Sequence, residues 1–298
     1  MAGTKEKTRG GRVTFHKSAL LQETIELLNP KKDGLYIDAT IGGAGHAKAI
    51  LEKGAKVLGI DQDPEAVEYA KSLNLKGLKI VKGNFSQIGE IARREGFEKV
   101  DGIIFDLGVS SHQLDKPERG FSFQRSGPLD MRMDPDLNIR AYDIINNFEE
   151  RRLYEIFKTY GQEKFSKRLA NAIISARKVK TIETTKDLAQ IIENAVPRGV
   201  NRGKIHSATK VFQALRIVIN SEILNLEQAL PQTLELLKPG GRLAIISFHS
   251  LEDSLVKRFF KQETKLEILT KKPIGPSVRE TEENRRARSS KLRVAEKI

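Results

Sequence analysis

Residues 35–46, L-Y-I-D-A-T-I-G-G-A-G-H, place a short apolar run directly before a glycine-rich turn. The apolar run predicts a buried strand. Gly42, Gly43 and Gly45 allow the backbone to turn sharply into a helix and to approach a ligand closely. The alternative is a tight turn that binds nothing, and the glycines by themselves leave that alternative open.

Further apolar runs follow this turn, separated at first by stretches with helical spacing. Continuous apolar strands that alternate with helices are typical of a parallel sheet covered on both faces. The sequence therefore predicts an α/β fold with a doubly wound, Rossmann-like sheet. The later strands are predicted at residues 56–61, 78–84, 100–108, 242–248, 266–270 and 291–296.

The alternation stops after Gly108. Residues 109–138 are irregular and rich in Gly, Pro, Ser and Asp, and residues 140–194 show two or three amphipathic helical segments. A stretch of this length between two strands indicates an inserted subdomain rather than a loop. We therefore predict a sheet domain of residues 1–112 and 207–298 and an inserted helical subdomain of residues 113–206. A long helix from about Ser207 follows the insertion, and Pro231 is expected to interrupt or restart it.

Polar and aromatic residues follow the predicted strands at the points where the strands end. Asp61 ends the second strand, Asn84 and Phe85 follow the third, and Asp106 lies near the end of the fourth. Carboxyl ends of parallel strands share one crevice, where a carboxylate can bind ribose hydroxyls and an aromatic ring can flank a base. The alternatives are a helix N-cap for Asp61 and a core position for Phe85.

The turn favours one nucleotide cofactor over another. The dinucleotide fingerprint needs a third glycine three residues after Gly45, where this chain has Lys48. Asp38, just before the turn, would repel a pyrophosphate but attract an ammonium group. S-adenosylmethionine carries an ammonium and no phosphate, so the sequence favours it as the cofactor.

Composition narrows the classes of function further. The chain has 298 residues, no cysteine and a net charge of +13. The absence of cysteine excludes disulfides, Cys-ligated zinc and thiol nucleophiles, and we expect no metal site. The charge favours a polyanionic partner. No apolar run reaches the roughly eighteen residues of a membrane helix, and the basic N-terminus has no apolar signal segment, so we expect a cytoplasmic protein without a membrane partner.

Several longer strings resemble the MraW (RsmH) methyltransferase family, and the resemblance extends from His16 to Arg293. These strings are D-L-G-V-S-S (106–111), E-R-G-F-S-F (118–123), G-P-L-D-M-R-M (127–133), T-Y-G (159–161), I-S-F-H-S-L-E-D (246–253) and R-A-R-S-S-K-L-R (286–293). The resemblance implies the class I fold of S-adenosylmethionine-dependent methyltransferases. It also implies methyl transfer to the exocyclic N4 of a cytidine in the 16S ribosomal RNA of the small subunit.

The resemblance also implies a set of cofactor-binding residues. One departure concerns position 44, where the family pattern has glycine and this chain has alanine, whose methyl group restricts the approach of the backbone. Together with Gly43 of the turn, the predicted cofactor contacts are Ala44, Gly45, His46, Asp61, Phe85, Asp106 and Gln113.

Asp106 is the predicted catalytic centre, since a carboxylate that accepts a hydrogen bond from N4 would localise its lone pair. Ser110 and His112 lie just beyond it, and His249 follows the fifth strand. We list all three as further catalytic candidates, Ser110 and the adjoining Ser111 through contacts with the base edge and the histidines as bases. The alternatives are turn capping by the serines and a helix entry at His249 with Ser250 as the cap.

A cytidine within folded RNA must leave its stack to be methylated. We expect the insertion to hold the RNA through Phe121, Phe123, Arg125, Met131 and Arg132. Packing between the two lobes is the alternative for these residues, and it suits the phenylalanines better than the arginines. Other functions left open are methylation of another RNA, of DNA or of a protein amine, hydride transfer by a dehydrogenase, and RNA binding without catalysis. The remaining basic candidates are Arg198, Arg202, Lys204, Arg285, Arg286, Arg288, Lys291 and Arg293.

Overall fold

A computed structural model describes residues 18–197 and 207–298, and it contains one seven-stranded sheet. The strand order is β3-β2-β1-β4-β5-β7-β6; β7 is antiparallel to both neighbours and the other pairs are parallel. This confirms the predicted doubly wound α/β fold. The strands are β1 (Leu35–Asp38), β2 (Lys56–Asp61), β3 (Leu78–Lys82), β4 (Val100–Asp106), β5 (Leu237–Ser247), β6 (Leu266–Ile268) and β7 (Lys291–Lys297).

Helices cover both faces of the sheet and build a separate layer beside it. They are α1 (Leu21–Leu28), α2 (Gly45–Leu51), α3 (Pro64–Ser72), α4 (Ile88–Glu95), α5 (Ser111–Asp115), α6 (Ala141–Asn147), α7 (Glu150–Thr159), α8 (Ser166–Val179), α9 (Thr185–Ala195), α10 (Ser207–Ile219), α11 (Glu222–Leu236), α12 (Ser250–Gln262) and α13 (Val278–Glu283). Within the described part of the chain, no helix has the length and apolar character needed to span a membrane.

Alternate residues of the central strands enter two different cores. Ile103 packs with α4, α11 and α12 on one face, whereas its neighbour Ile104 packs with α1 and α2 on the other. Both residues are completely buried. Because side chains alternate across a strand, a strand covered on both faces needs an apolar residue at every position. This is the physical basis of the continuous apolar runs in the sequence.

Helices α6 to α10 share a third core that is separate from the two cores of the sheet. Leu153, Leu169 and Leu188, from three successive helices, are buried completely within it. Most of the apolar residues that α10 buries, Leu215 among them, also belong to this core. The predicted division into an insertion of residues 113–206 and a sheet domain stays a prediction. Helix α10 begins at Ser207, just after the predicted boundary, but it packs with the helices of the insertion.

Two details of the helical prediction are wrong. The stretch 140–194 forms four helices, α6 to α9, rather than two or three. The long helix from Ser207 breaks at Ser221, which has a φ of +51°, whereas Pro231 lies inside α11 without interrupting it. The buried amide of Asn220 accepts the N–H of Met133 at 2.7 Å and donates to the carbonyl of Met131 at 2.8 Å. These tertiary contacts stabilise the break between α10 and α11, and the position of Pro231 in the sequence does not reveal them.

Candidate functional site

A cavity of about 530 Å³ opens at the carboxyl ends of the central strands. Its volume suits a nucleotide-sized ligand, because ligand pockets commonly span about 300–1,000 Å³. Among the predicted site residues, those that line it are Gly43, His46, Asp61, Phe85, Asp106, Ser110, Gln113 and His249. Ala44, Gly45 and His112 lie outside this lining. The site therefore brings together residues from the first half of the sheet and from the segment after β5.

The glycine-rich turn adopts left-handed backbone conformations at two positions. Gly42 has a φ of +45° and Ala44 a φ of +59°. Left-handed conformations favour glycine, because the Cβ of other residues crowds the following carbonyl. This explains why glycine is expected at position 44. Ala44 is also buried, so its methyl group contributes to the core rather than to the cavity surface.

Gly45 is required for a different reason. A β-carbon at this position would collide with the side chain of Ser18. The glycine therefore permits close packing between the start of α2 and the segment before α1. Its predicted cofactor contact remains a prediction.

Asp61 is held by the turn that it faces. Its Oδ2 accepts the N–H of Gly42 at 2.9 Å and its Oδ1 accepts the N–H of Asp63 at 2.9 Å. A carboxylate offers about four lone-pair sites, so acceptor capacity remains for two ribose hydroxyls. Burial raises the pKa of Asp61 to about 6, although these two hydrogen bonds oppose the shift. A ligand that donates to the carboxylate would favour its ionised form.

Asp38 is more deeply placed than the sequence analysis expects. Its side chain is 1% exposed and does not line the cavity. Its Oδ1 accepts the N–H of Thr40 at 3.2 Å, and burial raises its pKa to about 7. Asp38 can therefore act on an ammonium only through its charge, and the expected attraction of an ammonium group stays a prediction.

Asp106 is the carboxylate with the least satisfied hydrogen bonding in the site. Its Oδ1 is buried and has no hydrogen-bond partner in the described structure, while 21% of the side chain remains exposed to the cavity. Burial raises its pKa well above the ordinary value, and the nearby charges of Asp38, Glu252 and Glu280 add to the shift. An unpaired buried acceptor is unusual in a folded protein and indicates a position for a ligand donor.

His46 lies next to the carboxylate of Asp106. Its Nδ1 lies 3.6 Å from Asp106 Oδ2, and its Nε2 lies 3.2 Å from the carbonyl of Ala19. The carbonyl can only accept, so the ring hydrogen is assigned to Nε2 and the lone pair of Nδ1 faces Asp106. Burial lowers the pKa of His46 to about 4, which keeps the ring neutral at pH 7.

Two of the catalytic candidates are used by helix caps. Ser110 Oγ accepts the N–H of Gln113 at the start of α5, and the carbonyl oxygen of the Gln113 side chain accepts the N–H of Ser110 in return. His249 is the N-cap of α12, with its Nδ1 accepting the N–H of Glu252 at 3.4 Å. The expected cap at Ser250 is therefore wrong by one residue.

His112 is directed away from the cavity. Its Nε2 lies 2.9 Å from Glu65 Oε2, in a group that also contains Lys116 and Arg119. This geometry gives His112 an ion-pair partner on α3 and no place in the cavity wall. Its catalytic role, like that of Ser110, stays a prediction.

Asp63 forms the centre of a buried network that the sequence analysis missed. It accepts hydrogen bonds from Gln113 Nε2 at 2.7 Å, from Arg119 Nη1 at 3.0 Å and from the N–H of Glu65 at 3.0 Å. Arg119 also donates to the carbonyls of Arg132 and Met133. The Asp-Pro pair at the start of α3 was the available signal. These contacts use Oε1 and one of the two Nε2 hydrogens of Gln113, which lines the cavity.

Three further cavity residues come from α10, α11 and α12, and none of them was predicted as a site residue, although Glu252 lies in the string 246–253 that resembles the family. Arg216 Nε and Nη2 donate to the two carboxylate oxygens of Glu222 at 2.7 and 2.8 Å. Glu252 Oε2 accepts the N–H of Phe248 at 2.8 Å. All three line the cavity beside Asp106 and His249.

The predicted RNA contacts divide into accessible and enclosed residues. Phe121 and Phe123 line the cavity, and Phe123 packs edge-on against Phe212 with ring centroids 5.1 Å apart. Met131 is completely buried, so the expected contact of its side chain with RNA is wrong. Arg132 is paired with Asp130 at 2.8 Å.

The basic tail divides in the same way. Arg285 and Arg286 line the cavity, whereas Arg293 is 7% exposed and pairs with Asp253. Lys291 also pairs with Asp253, which supports a structural role for these two residues of β7. Arg198, Arg202 and Lys204 lie outside the described residues.

Residues 13–298 match the model of the MraW methylase family. A relative from Carboxydothermus hydrogenoformans, named ribosomal RNA small subunit methyltransferase H, is 47% identical over 305 residues, which cover 95% of this chain and 98% of the relative. Similar solved structures include NSun6 from Pyrococcus horikoshii with SFG, with a TM-score of 0.47, 12% identity and coverage of 100% of this chain and 56% of that one. An rRNA methylase from Streptococcus thermophilus has a TM-score of 0.42, 13% identity and coverage of 93% of both chains.

Proposed function

The chain belongs to the MraW methylase family, and we propose that it methylates the exocyclic N4 of one cytidine in the 16S ribosomal RNA of the small subunit. The relative that bears the name of a small-subunit rRNA methyltransferase matches nearly the whole chain, which supports this substrate. The single observation that carries the chemistry is the unpaired, buried Oδ1 of Asp106 at the end of β4.

S-adenosylmethionine is the cofactor of the family, and the residues of the cavity fit it. Asp61 keeps acceptor capacity for ribose hydroxyls, and Phe85 lines the cavity with an aromatic ring packed on Phe105 at 5.5 Å between centroids. Asp38 and Asp106 supply negative charge that suits a cation. When bound, the cofactor supplies an electrophilic methyl group on a positively charged sulfur. We propose that it is held by Gly43, Ala44, Gly45, His46, Asp61, Phe85, Asp106 and Gln113.

The target amine needs help from the protein, because its lone pair is delocalised into the cytosine ring. The carboxylate of Asp106, which is 21% exposed in the cavity wall, would accept one N4–H hydrogen bond and so localise the lone pair on nitrogen. The N4 nitrogen gains a methyl group and must lose one proton, for which the carboxylate is an acceptor within the cavity. A cation beside Asp106 lowers its raised pKa and favours the ionised form that can accept this proton.

The family's substrate suggests how the rest of the molecule takes part. We propose that the helical layer and the basic residues near the cavity hold the RNA, and that the assembled subunit is preferred over short naked RNA. The protein would then work in the cytoplasm, where subunits are assembled. The net charge of +13 supports a polyanionic substrate.

The test is transfer of radiolabelled methyl groups from S-adenosylmethionine to small subunits that lack the modification, followed by digestion to nucleosides. Label in N4-methylcytidine is the expected result, with no label from the Asp106→Asn variant. Label in another nucleoside, or in protein, would contradict the proposal. Cofactor binding without transfer to any RNA would favour a silent RNA-binding protein instead.

A further inference from the structure

One side of the cavity holds polar groups that no cofactor contact uses. Arg216 comes from α10, Glu222 from the start of α11, and His249 and Glu252 from the start of α12. Their side chains are 15%, 9%, 7% and 3% exposed, respectively. Buried charged groups need partners, so the hydrogen bonds of this cluster indicate what it can still bind.

Arg216 is fixed in one orientation and only partly satisfied. Its two-pronged pair with Glu222 uses Nε and one hydrogen of Nη2. A guanidinium has five N–H donors, so three remain on Nη1 and Nη2. The described structure shows no other hydrogen bond from this side chain. The remaining donors form a second two-pronged edge that suits paired acceptors.

The position of Arg216 places this edge near the reacting centre. Its Nη2 lies 4.0 Å from the point that a β-carbon on Gly108 would occupy. Gly108 follows Asp106 by two residues in the turn after β4. Arg216 therefore lies beside the turn that follows Asp106, and both residues line the cavity.

His249 is fixed in the same cavity. Its Nδ1 accepts a backbone N–H, so the ring hydrogen is assigned to Nε2. Nε2 is buried and lies 3.1 Å from Glu252 Oε1, so its hydrogen faces that carboxylate rather than the cavity. The remaining donors of Arg216 thus point to a ligand with acceptors beside its reacting amine.

Resting on the proposed function, we propose that Arg216 reads the N3 and O2 acceptors of the target cytosine, with Glu222 as a positioning residue. Cytosine carries its amine next to N3, and O2 lies beyond N3 on the same edge. Uracil has a hydrogen on N3 that would oppose the arginine, and adenine has no oxygen at the O2 position. The cluster therefore selects the base that Asp106 can present for methylation.

A phosphate group fits this position less well. Glu222 and Glu252 place two carboxylates beside the one guanidinium, so the surroundings disfavour a second anion. A neutral base edge meets the same donors without this repulsion. Arg216 therefore differs from an exposed arginine, which would bind the RNA backbone.

The cluster has one other chemical interpretation. Ligand atoms of Glu222, His249 and Glu252 lie within 4.8 Å of one another, which is close enough to hold a metal ion. Both oxygens of Glu222 already accept hydrogen bonds from Arg216, and the guanidinium would repel a metal cation. Binding of a nucleobase therefore fits the contacts better than binding of a metal ion, and metal binding is one of the outcomes that the experiment distinguishes.

The experiment compares Arg216→Lys, Arg216→Met and Glu222→Gln in single-turnover methylation of small subunits. We expect Arg216→Met to lower kcat/KM by about a hundredfold, because it removes a two-pronged, charge-assisted contact with the base. Arg216→Lys should lose nearly as much, since lysine lacks the planar fork. Glu222→Gln should lose less. Cofactor affinity measured by calorimetry should stay within about twofold in all three.

A modified substrate makes the assignment specific. The labelled cytidine is first located by mapping labelled RNA fragments, and subunits are then reconstituted with 3-deazacytidine, which lacks the N3 acceptor, at that position. The wild-type protein should slow on this substrate, whereas Arg216→Met should show no further loss. An Arg216→Met variant that slows as much as the wild type on 3-deazacytidine would overturn the proposal.

The controls separate this inference from the proposed function. Arg258→Lys, on α12 in an exposed pair with Glu227, should behave as the wild type. Methylation by the wild type with unchanged rates for both Arg216 variants would overturn only the base-reading role. Dialysis against EDTA should leave turnover unchanged, and a loss restored by Mn²⁺ would favour the metal reading. No methylation by the wild type would remove the proposed function itself.

Discussion

Asp63 is a buried aspartate and Asp106 a partly buried one at the same edge of the sheet, and their surroundings differ. Asp63 accepts hydrogen bonds from a glutamine, an arginine and a backbone N–H. Asp106 has a buried oxygen with no hydrogen-bond partner in the described residues, beside a histidine that burial keeps neutral. The carboxylate of Asp63 therefore receives its hydrogen bonds from the protein itself, whereas the carboxylate of Asp106 can accept a hydrogen bond from a ligand.

This difference separates structural from functional carboxylates within one cavity. A saturated network secures the loop between β4 and α6 against α3, and its loss should reduce stability. An unsaturated carboxylate costs stability and gives reactivity, so its loss should reduce activity alone. The predictions below test this division, beginning with the largest expected effect.

Replacing Asp106 by asparagine should lower the single-turnover rate of methylation by about 10²–10⁴-fold, because the proton acceptor is lost. The melting temperature without cofactor should stay the same or rise, since an unfavourably buried acid is removed. A rate within tenfold of the wild type would contradict the catalytic role of Asp106.

Replacing Arg119 by methionine should lower the free energy of unfolding by about 3 kcal/mol, because Asp63 then keeps a buried charge without its cation. Urea denaturation measures this change. The exposed pair Arg140–Asp143 is the control, and Arg140→Met should cost less than about 1 kcal/mol. Equal losses in the two variants would mean that burial does not distinguish the Asp63 network.

Replacing Asp61 by alanine should weaken cofactor binding by about 2 kcal/mol, the usual loss for charge-assisted hydrogen bonds. Isothermal titration with S-adenosylmethionine measures the affinity. Asp101, which accepts the N–H of Leu35 and a bond from Lys238 at the other end of β4, provides a matched carboxylate away from the cavity. Unchanged affinity in Asp61→Ala would remove Asp61 from the site.

The free energy of unfolding without cofactor should fall by about 1 kcal/mol between pH 6.5 and 8. Asp38, with a pKa of about 7, and Asp106, with a raised pKa, retain protons in the folded protein that the unfolded chain has already released. The folded state therefore binds more protons, and stability decreases as pH rises through this window. Asp106→Asn should flatten the decrease, and an equally steep slope in that variant would contradict the raised pKa.

Replacing Ala44 by glycine should raise the free energy of unfolding by up to about 1 kcal/mol, because the left-handed φ of +59° strains alanine. The greater freedom of glycine in the unfolded chain and the lost burial of a methyl group reduce this gain. Thermal denaturation measures the net effect. A clear loss of stability would show that the methyl group packs more favourably than the backbone is strained.

The sequence predicted the sheet well because its signals are local. Continuous apolar runs marked the buried strands, and the position of Asp61 at the end of such a run placed it at the ligand edge. Prediction was weaker where a residue has two local roles. Ser110 caps a helix and also lines the cavity, and spacing alone cannot distinguish these roles.

Two features depend on contacts between distant segments. One is the break between α10 and α11, and the other is the cluster of Arg216, Glu222, His249 and Glu252. Asn220 ends α10 through bonds to residues 131–133, a contact that no pattern around Pro231 reveals. Arg216, Glu222 and Glu252 belong to three different helices, and no sequence pattern indicates that they meet. Their meeting depends on how those helices pack on the sheet.

By itself, therefore, the sequence determined which functional groups follow the successive strands. These are a glycine-rich turn after the first strand, a carboxylate at the end of the second and another at the end of the fourth. The alternation of strands and helices and the formation of turns depend on neighbouring residues, so they can be predicted without a structure. Only the tertiary structure decided which carboxylates are satisfied and which are left unpaired. Burial and hydrogen bonding depend on residues far apart in the chain, and they distinguish Asp63 from Asp106.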